Sequence, residues 1–268
     1  MDEADAVDRV QEPCTVSSLT EDLRYLGVES GQTLLVHSSL SSLGWVAGDA
    51  QAVVEALQNV VTTDGTLVMP THTSQYSDPS AWSNPPVPSD WIETIREERP
   101  AFQPAATPTR GMGAISECFR TSPDVVRSSH PLYSVAAWGA EAEEIVDDHP
   151  LDHGLGEESP LADVYEQDGD VLMLGTDYST NTSLHLAEHR ADLDLGTSTT
   201  TVPVLEDGDR VLHDCEELET STDDFPEVGA AFEDQHDYRE GAVGAATATL
   251  LEQPALVDFA TEWFEANR

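Results

Sequence analysis

His185, Glu188 and His189 fall within five residues of one another. Positions three and four apart share a helix face, so a helix here would present two imidazoles and a carboxylate together. An imidazole titrates near neutral pH and can take a proton from an attacking nucleophile. The same residues fit H-x-x-E-H, a zinc-peptidase spacing with two histidines on one face and an acid beside them. Three fixed residues arise easily by chance in so acidic a chain, and the strand-and-turn context before them disfavours that reading.

That context is an apolar run, Val171-Leu172-Met173-Leu174, closed by Gly175. The sequence predicts a buried strand, a turn, and a helix starting near residue 182, with Thr182 or Ser183 as its cap. His185 then lies one turn in, at the mouth of a sheet. Upstream, a helix is expected over residues 16–26, capped by Thr15 or Ser17 and ended by Gly27. A strand over 32–37 runs into the small-residue turn His37-Ser38-Ser39-Leu40-Ser41-Ser42-Leu43-Gly44. A helix over 49–61 and a strand over 65–70 follow, so a parallel pair with a right-handed crossover is expected.

Residues 76–104 are rich in Pro, Ser, Asn and Trp and contain a short helix over 89–99. A connection this long is usually functional, and it reads as a substrate-side wall. Thr107 to Gly113 form a turn, followed by a helix over 114–120, a strand over 133–138, a helix over 140–148 and one opening at Ser159-Pro160. Residues 199–205 and 210–213, joined by Asp207-Gly208, read as a β-hairpin. Helices are expected over 225–233 and 257–265. Residues 241–250 fit either a helix or a strand. The whole reads as a flexible acidic tail over residues 1–14 and a single α/β domain over 15–268, with a central mixed sheet. Substrate-side regions fall at 75–104 and 196–240.

The 268 residues carry 52 Asp and Glu against 11 Lys and Arg, a formal charge of −41. Such a surface repels itself unless salt screens it; the Debye length falls from about 10 Å at 0.1 M to about 3 Å at 1 M. A salt-rich cytoplasm is the simplest origin. A general basic patch for nucleic acid or anionic lipid is not expected. Cys14, Cys118 and Cys215 are isolated and odd in number, which fits reduced thiols. The first residues lack the apolar core of a signal peptide, and no run approaches the roughly 20 apolar residues of a membrane helix.

Three stretches together resemble the aminoglycoside 3-N-acetyltransferase family, also called the antibiotic N-acetyltransferases. They are Leu35-Val36-His37-Ser38-Ser39-Leu40 with Gly44-Trp45-Val46, then Arg127-Ser128-Ser129-His130-Pro131, then Thr182-Ser183-Leu184-His185-Leu186-Ala187-Glu188. The segments around Gly65 to Thr71 and Thr107 to Gly113 keep the family's order. The resemblance covers nearly the whole chain from about Leu19.

It implies a three-layer α/β/α fold distinct from the GNAT acetyltransferases. It also implies direct transfer of an acetyl group from acetyl-CoA to a primary amine of an aminocyclitol sugar, without an acyl-enzyme and without a metal. By resemblance His185 is the general base. A carboxylate some thirty residues on orients it; Glu219 is the choice, with Asp223 and Asp224 as alternatives. His37, Ser38, Ser39, Thr73, Arg110, Gly111, Met112 and Gly113 are expected to hold the coenzyme, with Phe102 and Pro104 beside its pantetheine arm. Glu188 and Asp177 are placed on the amine side, although Glu188 equally suits a buried structural partner. His130 is read as fixing a turn, His189 as structural, and His72 and His153 as ordinary loop residues. A small-molecule amine is the expected partner, and the chain a monomer or homodimer. A binding protein that keeps the fold without turnover is the other alternative.

Overall fold

Leu34, Leu35 and Val36 are fully buried, and their alternating side chains enter two different cores. That alternation is what a strand covered on both faces requires. The computed structural model describes residues 3–268. In chain order the elements are α1 (Glu3–Asp8), α2 (Val16–Leu26), β1 (Thr33–Ser38), α3 (Asp49–Val61), β2 (Thr66–Pro70), α4 (Ile92–Glu98) and α5 (Gly113–Phe119). There follow β3 (Val126–Arg127), β4 (Val135–Gly139), α6 (Ala142–Val146), α7 (Pro160–Glu166), β5 (Asp170–Leu174) and α8 (Ser183–Arg190). The chain ends with β6 (Thr197–Glu206), β7 (Asp209–Leu218), α9 (Phe225–Glu233), β8 (Arg239–Val243), β9 (Ala246–Glu252) and α10 (Gln253–Asn267).

Seven strands form one sheet in the order β3-β4-β2-β1-β5-β9-β8. β1 lies parallel to both β2 and β5, and the remaining pairs are antiparallel. Leu34, Val36, Leu67, Met69, Leu172 and Leu174 face one core with α2, α3 and α5. Leu35, Val68, Val171 and Met173 face the other, with α6 to α10. Each fully buried Leu or Val side chain contributes about 1.5–3 kcal/mol of apolar transfer, so these paired rows fix the sheet's register. The expected mixed sheet between helical layers is present.

Because β2 and β5 flank β1 on opposite sides, the chain reverses direction across the sheet at β1. Ligands of open α/β sheets bind outside the carboxyl ends of parallel strands at such a point. His37 and Ser38 end β1, Pro70 ends β2 and Leu174 ends β5.

Several local expectations hold. Thr15 caps α2 in a capping box with Ser18, and Gly27 closes it at φ 110°. Ser159 caps α7. The Asp207-Gly208 turn joins a hairpin longer than the sequence suggested. Residues 241–250 resolve into the β8–β9 hairpin, and α10 starts at Gln253 because Pro254 occupies its first turn.

The segment read as a loose tail carries α1. Arg9 donates to the Ser41 carbonyl at 3.0 Å, and the Trp45 indole N–H approaches Glu3 Oε1 at 3.5 Å. The two regions read as substrate-side pack on each other. Arg99 donates to the carbonyls of Ser77 and Thr201, Arg210 donates to the Arg99 carbonyl, and the Phe102 N–H donates to the Pro203 carbonyl. Phe102 is core here, buried with Tyr76, Leu132, Val202 and Cys215, so it does not flank an open groove.

Candidate active site

α8 begins just beyond the end of β5. Its cap differs from the expected one: Asn181 Oδ1 accepts the Ser183 N–H at 3.1 Å, while Thr182 Oγ1 is buried without a partner. His185 follows one turn later. Its Nδ1 lies 2.6 Å from Glu188 Oε2. A buried carboxylate accepts, so Nδ1 carries the hydrogen, and in the neutral ring Nε2 is the nitrogen with a lone pair. Nε2 has no protein partner among the described residues. Phe225 packs 5.0 Å from the ring and limits its swing.

Glu188 has 1% of its surface exposed. Its second oxygen accepts from the Ser221 N–H at 3.1 Å and from Arg268 at 2.5 Å. Both oxygens are thus engaged inside the protein. Glu188 makes the imidazole contact expected of Glu219 and leaves no oxygen facing the cavity. The i,i+3 spacing on α8 brings Glu188 to the ring directly. Glu219 is exposed just past β7, its backbone paired with Gly196. Asp223 is exposed as well, and Asp224 grips Arg268.

The ring of His185 borders a cavity of about 310 Å³ at the carboxyl ends of β1, β2 and β5. His37, Ser38, His72, Tyr133, Thr176 and Thr182 line it. His37 Nε2, Ser38 Oγ, His72 Nε2 and Thr182 Oγ1 are buried there without protein partners. An unsatisfied buried polar group costs about 1–3 kcal/mol, so four around one hollow mark a place built to receive polar matter. Burial holds His37 neutral, its pKa lowered to about 3. His72 is lowered to about 3 by burial first and then by the neighbouring imidazoles of His185, His130, His37 and His149. His72, read as a loop residue, is therefore part of this site. The available signal was its place two residues beyond the end of β2.

Ser38, Gly111 and Met112 also line an adjoining open groove of about 730 Å³, with Ser39 and Gly113. Gly111 and Gly113 hold φ values of 84° and 82°, which favour glycine, and a Cβ at Gly111 would meet nothing within 4 Å. At Gly111 and Gly113 the groove is therefore lined by bare backbone. Glu3 and Ala6 of α1 form part of its wall. Arg110 is exposed beside it, its guanidinium 5.6 Å over the Trp82 ring and without a hydrogen bond to any of the described residues. Thr73 does not reach the groove. It is fully buried, with its hydroxyl donating to the Pro131 carbonyl. Asp177 lies exposed on the turn beside the cavity, where its carboxylate accepts from the Ser179 N–H at 3.0 Å.

The other histidines sort by their partners. His130 Nδ1 accepts from the N–H groups of Leu132 and Tyr133, fixing that turn as expected. Its Nε2 faces the Leu151 carbonyl at 3.2 Å and Glu217 at 3.6 Å. The His189 ring packs against the His153 ring at 80°, their centroids 5.6 Å apart. With Glu188 spent on His185 and Arg268, the H-x-x-E-H residues do not converge on one point. No group of three His, Cys, Asp or Glu able to hold a metal ion occurs among the described residues. No helix among them is long and apolar enough to cross a membrane.

Comparison with known proteins adds to this geometry. Residues 35–265 match the family described as aminoglycoside 3-N-acetyltransferase. A prophage-derived aminoglycoside N(3')-acetyltransferase-like protein of Bacillus subtilis, YokD, is 48% identical over 260 residues, 95% of this chain and 94% of that protein. Its crystal structure superposes with a TM-score of 0.96 at 46% identity, over 98% of each chain. Aminoglycoside N(3)-acetyltransferase VII of Streptomyces paromomycinus is 34% identical over 285 residues, 99% of this chain and 96% of that enzyme. The binary complex of AAC-IIIb with CoASH has a TM-score of 0.86 at 32% identity, covering 95% of this chain and 97% of that one. AAC-VIa bound to sisomicin has a TM-score of 0.87 at 29% identity, covering 96% and 99%.

Proposed function

Since the chain belongs to the aminoglycoside 3-N-acetyltransferase family, a family of acyltransferases, we propose that it moves an acetyl group from acetyl-CoA to a primary amine with His185 as general base. The observation that carries this reading is the carboxylate-supported imidazole whose free Nε2 borders a cavity sharing Ser38, Gly111 and Met112 with the adjoining groove.

The groove suits the coenzyme. Bare backbone at Gly111 and Gly113 admits a close approach, and Ser38 offers an unpartnered hydroxyl. Among the described residues Arg110 has a guanidinium with no hydrogen-bonding partner, in a chain of −41 charge, and phosphates take such groups in charge-assisted pairs. The CoASH complex of AAC-IIIb supports this assignment. His37, Ser38, Ser39, Arg110, Gly111, Met112 and Gly113 would hold the coenzyme. Its thioester supplies the electrophilic carbonyl when bound.

An alkylammonium is no nucleophile until it loses a proton. His185 Nε2 accepts that proton, and Glu188 stabilises the imidazolium that forms. The neutral nitrogen then bonds to the acyl carbon while the carbon–sulfur bond breaks. The imidazolium returns that proton to the leaving sulfur, and the second proton, shed by the nitrogen as it becomes an amide, passes to solvent, so the products are a neutral amide and a thiol and His185 ends as it began. Hydroxyls at Thr176, Ser179 and Thr180 line the acceptor side, which suits a hydroxylated amino sugar. Sisomicin bound to AAC-VIa supports an aminoglycoside-type acceptor.

Thiol release from acetyl-CoA, measured in molar KCl against a panel of aminoglycosides and simpler amines, tests the reading. Amine-dependent release supports it. Tight binding of acetyl-CoA with no release for any amine would favour a binding protein instead.

A further inference from the structure

Arg268 lies outside the cavity yet closes the network beneath His185. Its Nη1 donates to Glu188 Oε1 at 2.5 Å, the oxygen His185 leaves free. Its Nε donates to Asp224 Oδ2 at 2.8 Å, and its Nη2 to Asp224 Oδ1 and to the Ser221 carbonyl at 3.0 Å. The guanidinium lies 4.0 Å over the Phe264 ring. The Ser221 N–H completes the shell of Glu188 Oε1. Three separate stretches, namely α8, the 219–224 turn and the end of α10, therefore meet at one buried carboxylate.

A carboxylate removed from water takes up a proton unless a cation or several N–H donors hold it ionised. We propose that Arg268 is a positioning residue for the transfer: it keeps Glu188 ionised and turned so that Oε2 holds His185 Nδ1–H and Nε2 stays available. The proposal rests on His185 being the base. The competing view is that Arg268 only staples α10 to the 219–224 turn through Asp224 and Phe264.

The two views differ in the pH profile. The charged and titratable groups around the His185–Glu188 pair are His189 on α8, Asp224 ahead of α9, His72 after β2, His37 on β1 and Arg268 itself. From α7, Asp163 clusters with Glu166 and Glu144 instead. On α10, Glu265 accepts the Asp192 N–H. Among the described residues Arg268 supplies the guanidinium that touches Glu188. Removing that cation makes the pair bind its first proton more tightly. The imidazole is then lost as a base at higher pH.

The experiment is R268Q with acetyl-CoA and the best amine, at fixed molar KCl, with D224N and H185A alongside. R268Q is expected to raise the acidic limb of kcat/KM by about one pH unit and lower kcat about tenfold, a part of what a general base supplies. Its KM for acetyl-CoA should stay within about twofold, because the groove is untouched. D224N removes an anion and leaves the cation in place, so its acidic limb should not rise. An R268Q enzyme with wild-type kcat and an unmoved limb overturns the proposal while H185A is inactive; an active H185A overturns the base assignment itself. Should R268Q fail to fold, R268K carries the test, since an ammonium cannot reproduce the fork on Glu188 and Asp224. A loss of about threefold or more in kcat at unchanged KM for acetyl-CoA upholds the proposal, and wild-type kcat overturns it.

Discussion

Glu188 Oε2 sits 2.6 Å from His185 Nδ1, and the carboxylate that makes this contact is almost wholly shut off from solvent. The pair is therefore coupled more strongly than a surface ion pair, whose worth is about 0–1 kcal/mol. Replacing Glu188 by Gln keeps the shape and removes the charge. Such a change permits the wrong ring tautomer and withdraws support from the imidazolium. E188Q is expected to lose about 10²-fold in kcat, with the KM for acetyl-CoA little changed. Steady-state thiol release checks this; an unaltered kcat would show that the contact serves only the fold.

Arg110 should act on binding alone. Its guanidinium stands beside the groove and away from the His185 ring, stacked on Trp82. R110A is expected to raise the KM for acetyl-CoA about tenfold, the worth of one charge-assisted contact of about 1.4 kcal/mol. Its kcat should remain within about twofold. Desulfo- or dephospho-coenzyme analogues, titrated by calorimetry, would locate the lost contact; a fall in kcat with KM unchanged would remove Arg110 from the coenzyme site.

Acid stability has a defined source in His149. Burial first, and then the neighbouring His130, lower its pKa to about 3. Its Nδ1 lies 2.9 Å from Ser128 Oγ and its Nε2 2.7 Å from the Gly154 carbonyl. Because the Val135 N–H donates to Ser128 Oγ, the Ser128 hydroxyl is left to donate to Nδ1, and a proton there breaks the network. The unfolded chain protonates this histidine near its ordinary value of about 6.5, and the folded chain does not until about pH 3. Stability is fully present above pH of about 6.5 and falls as the pH drops below it, by up to about 1.4 kcal/mol per unit for one such group. In H149Q the slope of unfolding free energy between about pH 6.5 and 5 should be shallower by roughly that amount, whatever the loss in absolute stability. An equal slope would assign the acid sensitivity elsewhere.

A surface of −41 net charge predicts strong salt dependence. Raising KCl from about 0.1 to 2 M shortens the screening length several-fold and should raise Tm by about 4–8 °C, on the order of 2 kcal/mol at about 2–4 °C per kcal/mol for a domain of this size. Calorimetric scans across KCl concentration check this. A flat Tm would show that the carboxylates are spaced well enough to coexist in dilute salt.

The sheet was legible because its signal is local. Val171 to Leu174 closed by Gly175, and the matching run in β1, could be little other than buried strands. The position of His185 on a helix beyond the sheet was legible because it follows such a strand at helical spacing. The carboxylate beneath it was misread: the choice of Glu219 came from family spacing, while the i,i+3 neighbour Glu188 already met the geometric need. Arg268 and Ser221 carried no signal, since they reach Glu188 only through the packing of α10 and the 219–224 turn on α8. Thr73 looked available because its loop follows β2, yet its hydroxyl is consumed by the Pro131 carbonyl. His72, its neighbour, was passed over although it alone of the two borders the cavity.

The most direct measurement is single-turnover acetyl transfer by H185A, alongside calorimetric binding of acetyl-CoA to the same protein. Coenzyme binding within about threefold of wild type with transfer slowed about 10²–10⁴-fold is the predicted result. Transfer at the wild-type rate would contradict the assignment of His185 as the base.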